Sequence, residues 1–130
     1  MGSGHAAGRG VAAADAAAVA AAPASLRVAL SVVNTALPAP LSPDALRAAI
    51  REARPVPALR LLFAEVPRAT LADLVLDGAV AGWAELARAG EAAAAADPAA
   101  GGREGATLAW LRDMARLELA AAAGGRRPAA

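Results

Sequence analysis

The segment LRLLFAEVPRATLADLVLDGAVAGWAEL, residues 59–86, decides how this chain folds. It contains the only Phe, one of the two Trp residues and a dense series of Leu and Val. Because Ala dominates the rest of the chain, this segment supplies much of the side-chain volume that can fill a core. Pro67 interrupts it, which predicts two helices rather than one.

These two predicted helices differ in length. The first covers residues 57–66 and ends near Pro67. The second begins at Thr70, an N-cap residue with Asp73 at the capping-box position, and continues through an alanine-rich stretch to its end at Asp97-Pro98. Its apolar positions recur with a period close to 3.6 residues; they are Leu71, Leu74, Val75, Gly78, Ala79, Gly82, Trp83 and Leu86.

Gly78 and Gly82 lie one helical turn apart on that apolar face. A glycine inside a helix costs about 1 kcal/mol relative to alanine, and its missing side chain lets a second helix approach closely. The spacing therefore predicts a helix-packing or dimer contact at both glycines. Membrane helices use the same spacing, but Asp73, Asp77 and Glu85 argue against a lipid environment.

Upstream of this segment, one helix start is well marked and one element is ambiguous. Ser42 is suited to an N-cap, Pro43 to the first helical position and Asp44 to the positive end of the helix dipole. These residues predict a helix over residues 43–53. Residues 25–37 fit both an alternating strand and a helix face, and the lack of a pairing partner for a lone strand favours the helix.

Downstream, a last helix is predicted from residue 103 or 104 to about residue 123, with a broad apolar face. Its Trp110, like Trp83 on the preceding helix, is interpreted first as a core residue. The alternative places one Trp at a dimer seam or beside a flat aromatic ligand. The predicted helix-packing or dimer-interface residues are Gly78, Gly82, Trp83, Trp110, Leu111, Met114 and Leu117.

The chain divides into three predicted parts. Residues 1–24 form an alanine- and glycine-rich leader that we expect to be disordered, residues 25–123 a single all-α bundle of three to five helices, and residues 124–130 a loose tail. The leader has some features of an export signal, but Asp15 interrupts its apolar run. No stretch has the length and apolarity of a membrane span. We therefore expect a cytoplasmic protein that does not enter the membrane.

Composition limits both the core and the range of partners. The chain has 44 Ala against 16 Leu, nine Val and one Phe, so its core is thin and predicts a homodimer or a helical protein partner. A net charge of +1 without a basic face gives no support to nucleic-acid binding by this chain alone. Residues with GC-rich codons (Ala, Gly, Pro and Arg) make up more than half of the chain. This bias indicates a high-GC bacterium and leaves open a weakly constrained reading frame without a selected function.

Side chains for common enzyme chemistry are scarce. Cys is absent, and the single His, His5, lies in the leader, so the usual zinc and iron sites cannot be built from one chain. Asp73 and Asp77 are four residues apart, but nothing nearby in the sequence supplies a third ligand or a proton partner. GGREG at residues 101–105 lacks the lysine of a phosphate-binding loop. We expect no enzymatic activity, no cofactor and no metal site.

Two segments, LSPDALRAAIREARPVPALRLLFAEVPRATLADLV and REGATLAWLRDMARLEL, together with the long predicted helix between them, resemble the C-terminal half of PadR-type transcriptional regulators over about residues 41–120. The turn at residues 41–42 and the LAWL element at residues 108–111 carry this resemblance. It implies a helical dimerisation region whose interface includes Trp110, Leu111 and Met114. Residues 1–40 contain no recognisable recognition helix or basic wing. The resemblance therefore implies a regulator fragment whose DNA-binding part is missing or degraded.

Overall fold

A computed structural model describes residues 16–96 and 103–125, and helices account for most of them. Residues 16–21 are helical, and six longer helices follow within the described ranges: α1 (Ala24–Ala36), α2 (Pro43–Glu52), α3 (Val56–Glu65), α4 (Arg68–Leu76), α5 (Trp83–Ala96) and α6 (Arg103–Gly125). The predicted all-α fold is confirmed, with more helices than the three to five expected. Residues 1–15 of the predicted leader and residues 126–130 of the predicted tail lie outside the described residues.

The first two labelled helices follow their local sequence signals. The N–H of Ala45 donates to Ser42 Oγ at 3.1 Å, so Ser42 is the N-cap of α2 as predicted. The ambiguous residues 25–37 form α1. In the last turn of α1, the only Asn, Asn34, donates to the carbonyl of Leu41 at 3.0 Å and accepts from its N–H at 2.8 Å. This pair of hydrogen bonds closes the proline-rich connection and brings α2 back against α1.

The prediction of one long helix from Thr70 to Asp97-Pro98 is wrong, because two helices cover this range; the second of them ends at Ala96, close to the predicted end. Helix α4 already begins at Arg68, places Thr70 inside its first turn rather than at the N-cap, and ends at Leu76. Gly78 then adopts a φ of +80°, a left-handed conformation that favours glycine and ends a helix. The apolar period continues through this turn because Ala79 and Val80 fold back into the core, at 7% and 4% exposure.

Helix α5 lies at the centre of the bundle. It packs against α6, α3 and α2, while α1 packs against α3 and α4. The core between these helices consists mainly of fully buried leucines: Leu26, Leu46, Leu59, Leu62, Leu71, Leu74 and Leu86. Helix α6 packs mainly on α5 and makes a smaller contact with α3, so it lies at the outside of the bundle.

The packed region extends upstream of residue 25. Ala22 is 8% exposed and belongs to the core cluster, and Val19 is partly buried against it. The last residues of the predicted leader therefore contact the domain. Among the described residues, no helix combines the length and the apolar character needed to cross a bilayer.

Candidate functional site: the α5–α6 pair and the free face of α6

Helices α5 and α6 pair in antiparallel orientation. The first residue of α5, Trp83, lies beside Glu118 near the end of α6, whereas Gly90, one residue past the middle of α5, lies beside Leu108 and Leu111. A Cβ atom added to Gly90 would lie 3.2 Å from Leu108 Cδ1 and 3.3 Å from Leu111 Cδ1. Gly90 is therefore the glycine at which the two helices approach closely.

The sequence predicted packing contacts at Gly78 and Gly82, and of these two the structure places Gly82 against Glu118 of α6. Gly78 is exposed in the turn after α4, and a Cβ atom added to it would meet nothing within 4 Å. Gly82 is buried immediately before α5. The signal for Gly90 was present in the sequence, since it lies in an alanine-rich helical segment where a glycine costs about 1 kcal/mol relative to alanine. That cost is offset in the structure by the close contact with α6.

The two tryptophans meet where α5 begins. Their ring centroids are 5.3 Å apart and their planes are inclined at 81°, an edge-to-face contact of the kind that aromatic pairs favour. The Arg68 guanidinium lies over the Trp110 ring, with Cζ 5.6 Å from the ring centroid. Both tryptophans are partly buried against the core. Arg68, Trp110 and Trp83 thus form a stack joining α4, α6 and α5.

Glu118 supplies the cap that α5 lacks in its own sequence. The residue before the helix is Gly82, which has no side chain to accept from the first N–H groups. Instead, Glu118 Oε2 accepts from the N–H of Trp83 at 2.9 Å and Oε1 accepts from the N–H of Ala84 at 3.2 Å. A carboxylate at this position also complements the positive end of the helix dipole.

The absence of a side chain at Gly82 makes room for this cap. A Cβ atom there would lie 2.7 Å from Glu118 Oε2 and 2.9 Å from Oε1. We expect Gly82→Ala to displace the carboxylate and Glu118→Ala to remove it, each destabilising the fold by about 1 kcal/mol. Because both changes remove the same hydrogen bonds, the double variant should lose less than the sum of the two. Urea unfolding of the three variants measures this coupling, and full additivity would contradict the proposed steric link.

Helix α6 carries two apolar stripes on neighbouring faces. The inner stripe faces α5 and consists of Leu111 and Ala115, with the capping Glu118 further along the same face; Leu111 has 0% exposure. The outer stripe lies on the face of α6 next to the inner stripe. Its residues are spaced alternately by four and three positions: Trp110, Met114, Leu117, Ala121 and Gly124. The four α6 residues predicted from the sequence therefore divide: Leu111 is core, and the other three belong to the outer stripe.

The outer stripe becomes less covered toward the end of α6. Trp110 and Met114 are partly buried, Leu117 is 63% exposed, and Ala121 and Gly124 are exposed. Since Glu118 already contacts the first residue of α5, the helix beyond it continues past the end of its neighbour. A spacing of four and three residues is the pattern with which helices pack in coiled coils.

A small cavity lies at the opposite end of the α5–α6 pair. It has a volume of about 50 Å³ and is lined by Arg60, Phe63, Gly90, Ala93, Ala94, Gly105, Leu108 and Leu111. Neither tryptophan lines it. Pockets for small organic ligands usually measure about 300–1,000 Å³, so this cavity accommodates a group no larger than a few atoms.

The polar contacts near the site are those of an exposed surface. Arg112 donates from Nε to Glu91 Oε1 at 2.5 Å and links α6 to α5. This hydrogen bond raises the pKa of Arg112 above its ordinary value, although both side chains are exposed and the pair adds little stability. Among the described residues, no three His, Cys, Asp or Glu side chains are grouped as metal ligands would be.

The stack of Arg68, Trp110 and Trp83, the Glu118 cap and the open outer stripe are the distinctive features of this surface. Comparison of the chain with known proteins finds no matching family model, no matching curated protein and no matching solved structure.

Proposed function

We propose that this chain is a non-enzymatic helical interaction module that forms a homodimer through the outer stripe of α6. The observation that carries the proposal is the exposure of Leu117, at 63%, within a coiled-coil spacing that begins at the partly buried Trp110. Soluble proteins tolerate scattered exposed leucines. A series of apolar residues at helix-packing intervals, on a helix that extends beyond its neighbour, is characteristic of a contact surface.

The charge distribution of α6 supports an apolar helix as the partner. From Leu117 to the end of α6, Glu118 is the only charged residue, and its carboxylate is already engaged by α5. A nucleic acid or an acidic peptide would require cations along this face. Asp113 and Arg116, on its flank, form an ion pair with each other. The half of the outer stripe from Leu117 onward thus suits an apolar surface, which the outer stripe of a second copy provides.

A homodimer also agrees with the modest core of the domain. Many of its core positions are alanines, and alanine buries little area, so burial of further apolar surface adds useful stability. Helix α6 is 23 residues long, enough for several facing layers on each side. The outer stripe covers only the part of α6 from Trp110 to Gly124, and its first two side chains are partly covered, so the contact is small and we expect micromolar affinity.

The resemblance of residues 41–120 to PadR-type regulators suggests a biological role for the proposed dimer. On that basis the module is a regulator fragment that supplies dimerisation without a competent DNA-binding part. The small-molecule alternative receives less support, because the tryptophans pack against each other and Arg68 and the cavity at the other end of the helix pair is about 50 Å³.

A pair of substitutions tests the proposed dimer with a matched control. Leu117 lies on the outer stripe, whereas Leu119, 72% exposed, lies two residues further on the opposite side of the same helix. We expect Leu117→Glu to weaken dimerisation by about 100-fold, because it places a charge in the contact on both copies. Leu119→Glu should leave the dissociation constant within about twofold. Sedimentation or light scattering over a concentration series measures both values.

Circular dichroism should show the same helical content for both variants, since neither side chain is buried in the monomer. A wild-type chain that remains monomeric at 100 times the expected micromolar dissociation constant would overturn the proposal. So would a dimer that Leu119→Glu disrupts and Leu117→Glu does not, because the contact would then lie on the other side of α6.

A further inference from the structure

We propose that the two copies pair their α6 helices in antiparallel orientation, with Trp110 of each copy opposite Ala121 of the other. This inference rests on the proposed homodimer and specifies its geometry. The first four residues of the outer stripe are symmetric about the midpoint between Ala115 and Arg116. A two-fold axis through that point, perpendicular to the helices, therefore brings Met114 opposite Leu117 of the second copy. The same surface on both copies then meets itself, as a two-fold interface requires.

Side-chain size distinguishes this arrangement from a parallel one. The stripe is bulky at its start, with Trp110 and Met114, and small at its end, with Ala121 and Gly124. Antiparallel pairing places the large residues of one copy against the small residues of the other, so the two helix axes keep an even separation. Parallel pairing would place Trp110 against Trp110 and Gly124 against Gly124. One end would be crowded and the other would leave a gap, and both faults are destabilising.

Charge favours the same orientation. Arg68 lies over Trp110, so each copy carries a cation at the bulky end of its stripe. In a parallel dimer these two cations would meet. In the antiparallel dimer the two Trp110 residues are separated along the helix axis by about 16 Å.

Disulfide trapping tests the orientation, because the chain contains no cysteine of its own. Met114→Cys and Leu117→Cys are prepared separately, one with a mass label, then mixed in equal amounts and oxidised. Facing positions bring Cβ atoms within the roughly 4 Å that a disulfide requires. We expect the mixed disulfide between positions 114 and 117 to exceed either symmetric disulfide by about tenfold. Leu119→Cys, on the opposite side of α6, serves as the background control.

The possible results separate the orientation from the dimer itself. Symmetric disulfides in excess, with the reduced variants still dimeric by light scattering, would overturn the antiparallel orientation and leave the homodimer standing. A dimer in which positions 114 and 117 crosslink no faster than position 119 would overturn the outer stripe as the contact. Wild-type protein that is monomeric at every concentration would overturn the proposed function and this inference together.

Discussion

Replacing Leu111 with Ala is expected to destabilise the fold by about 2–5 kcal/mol. Leu111 has 0% exposure, lies against Gly90 across the α5–α6 contact, and lines the 50 Å³ cavity. Removing its isobutyl group forfeits the transfer free energy of that group and enlarges a void that is already present. A small domain has about 5–15 kcal/mol of stability in total, so the loss is a large fraction of it.

The control for this prediction is Leu119→Ala on the same helix. Leu119 is 72% exposed, so its truncation should change the free energy of unfolding by no more than about 0.5 kcal/mol. Urea or thermal unfolding followed by circular dichroism measures both variants at equal protein concentration. Equal losses in the two variants would contradict the assignment of Leu111 to the core and would call the placement of α6 on α5 into question.

Gly90→Leu is also expected to destabilise the fold, by about 1–3 kcal/mol, through overpacking. The first added atom would already lie 3.2–3.3 Å from the ends of Leu108 and Leu111, tighter than ordinary van der Waals contact. The remaining side-chain atoms would force α5 and α6 apart, which separates the core that these helices share. The gain in helix propensity from glycine to leucine, about 1 kcal/mol, is too small to offset this strain.

Gly105→Leu provides the matched comparison, because Gly105 is also a helical glycine lining the same cavity. A Cβ atom at this position meets nothing within 4 Å. The substitution should therefore be neutral or stabilise the fold by up to about 1 kcal/mol. If Gly90→Leu were tolerated as well as Gly105→Leu in chemical unfolding, the close approach of α5 and α6 at Gly90 would be disproved.

Several features of the fold were predictable because their signals are local. The start of α2 follows from Ser42, whose side chain caps the helix within three residues of itself. Helix α3 (Val56–Glu65) falls within about one residue of its predicted bounds because a proline stands on either side of it. The long helix through Gly78 was predicted wrongly for a related reason: the apolar period alone does not distinguish a continuous helix from two helices whose connecting turn is also buried.

Local sequence patterns were not sufficient to predict the candidate site. Periodicity identified one broad apolar face on α6, which included both Leu111 and Leu117. It did not show that Leu111 would be fully buried and Leu117 mostly exposed, because that difference depends on where α5 lies and how far it extends. The Glu118 cap joins residues 35 positions apart in the sequence and has no local signature.

The sequence by itself determined the helical class, most helix ends and the few large side chains available for packing, since caps, prolines and apolar periods act within a turn or two of the chain. The tertiary structure decided which glycine brings two helices together, which carboxylate caps α5 and which stripe of α6 stays uncovered. These outcomes depend on distances between residues far apart in the sequence. Such distances are set by the packing of whole helices rather than by any residue's neighbours along the chain.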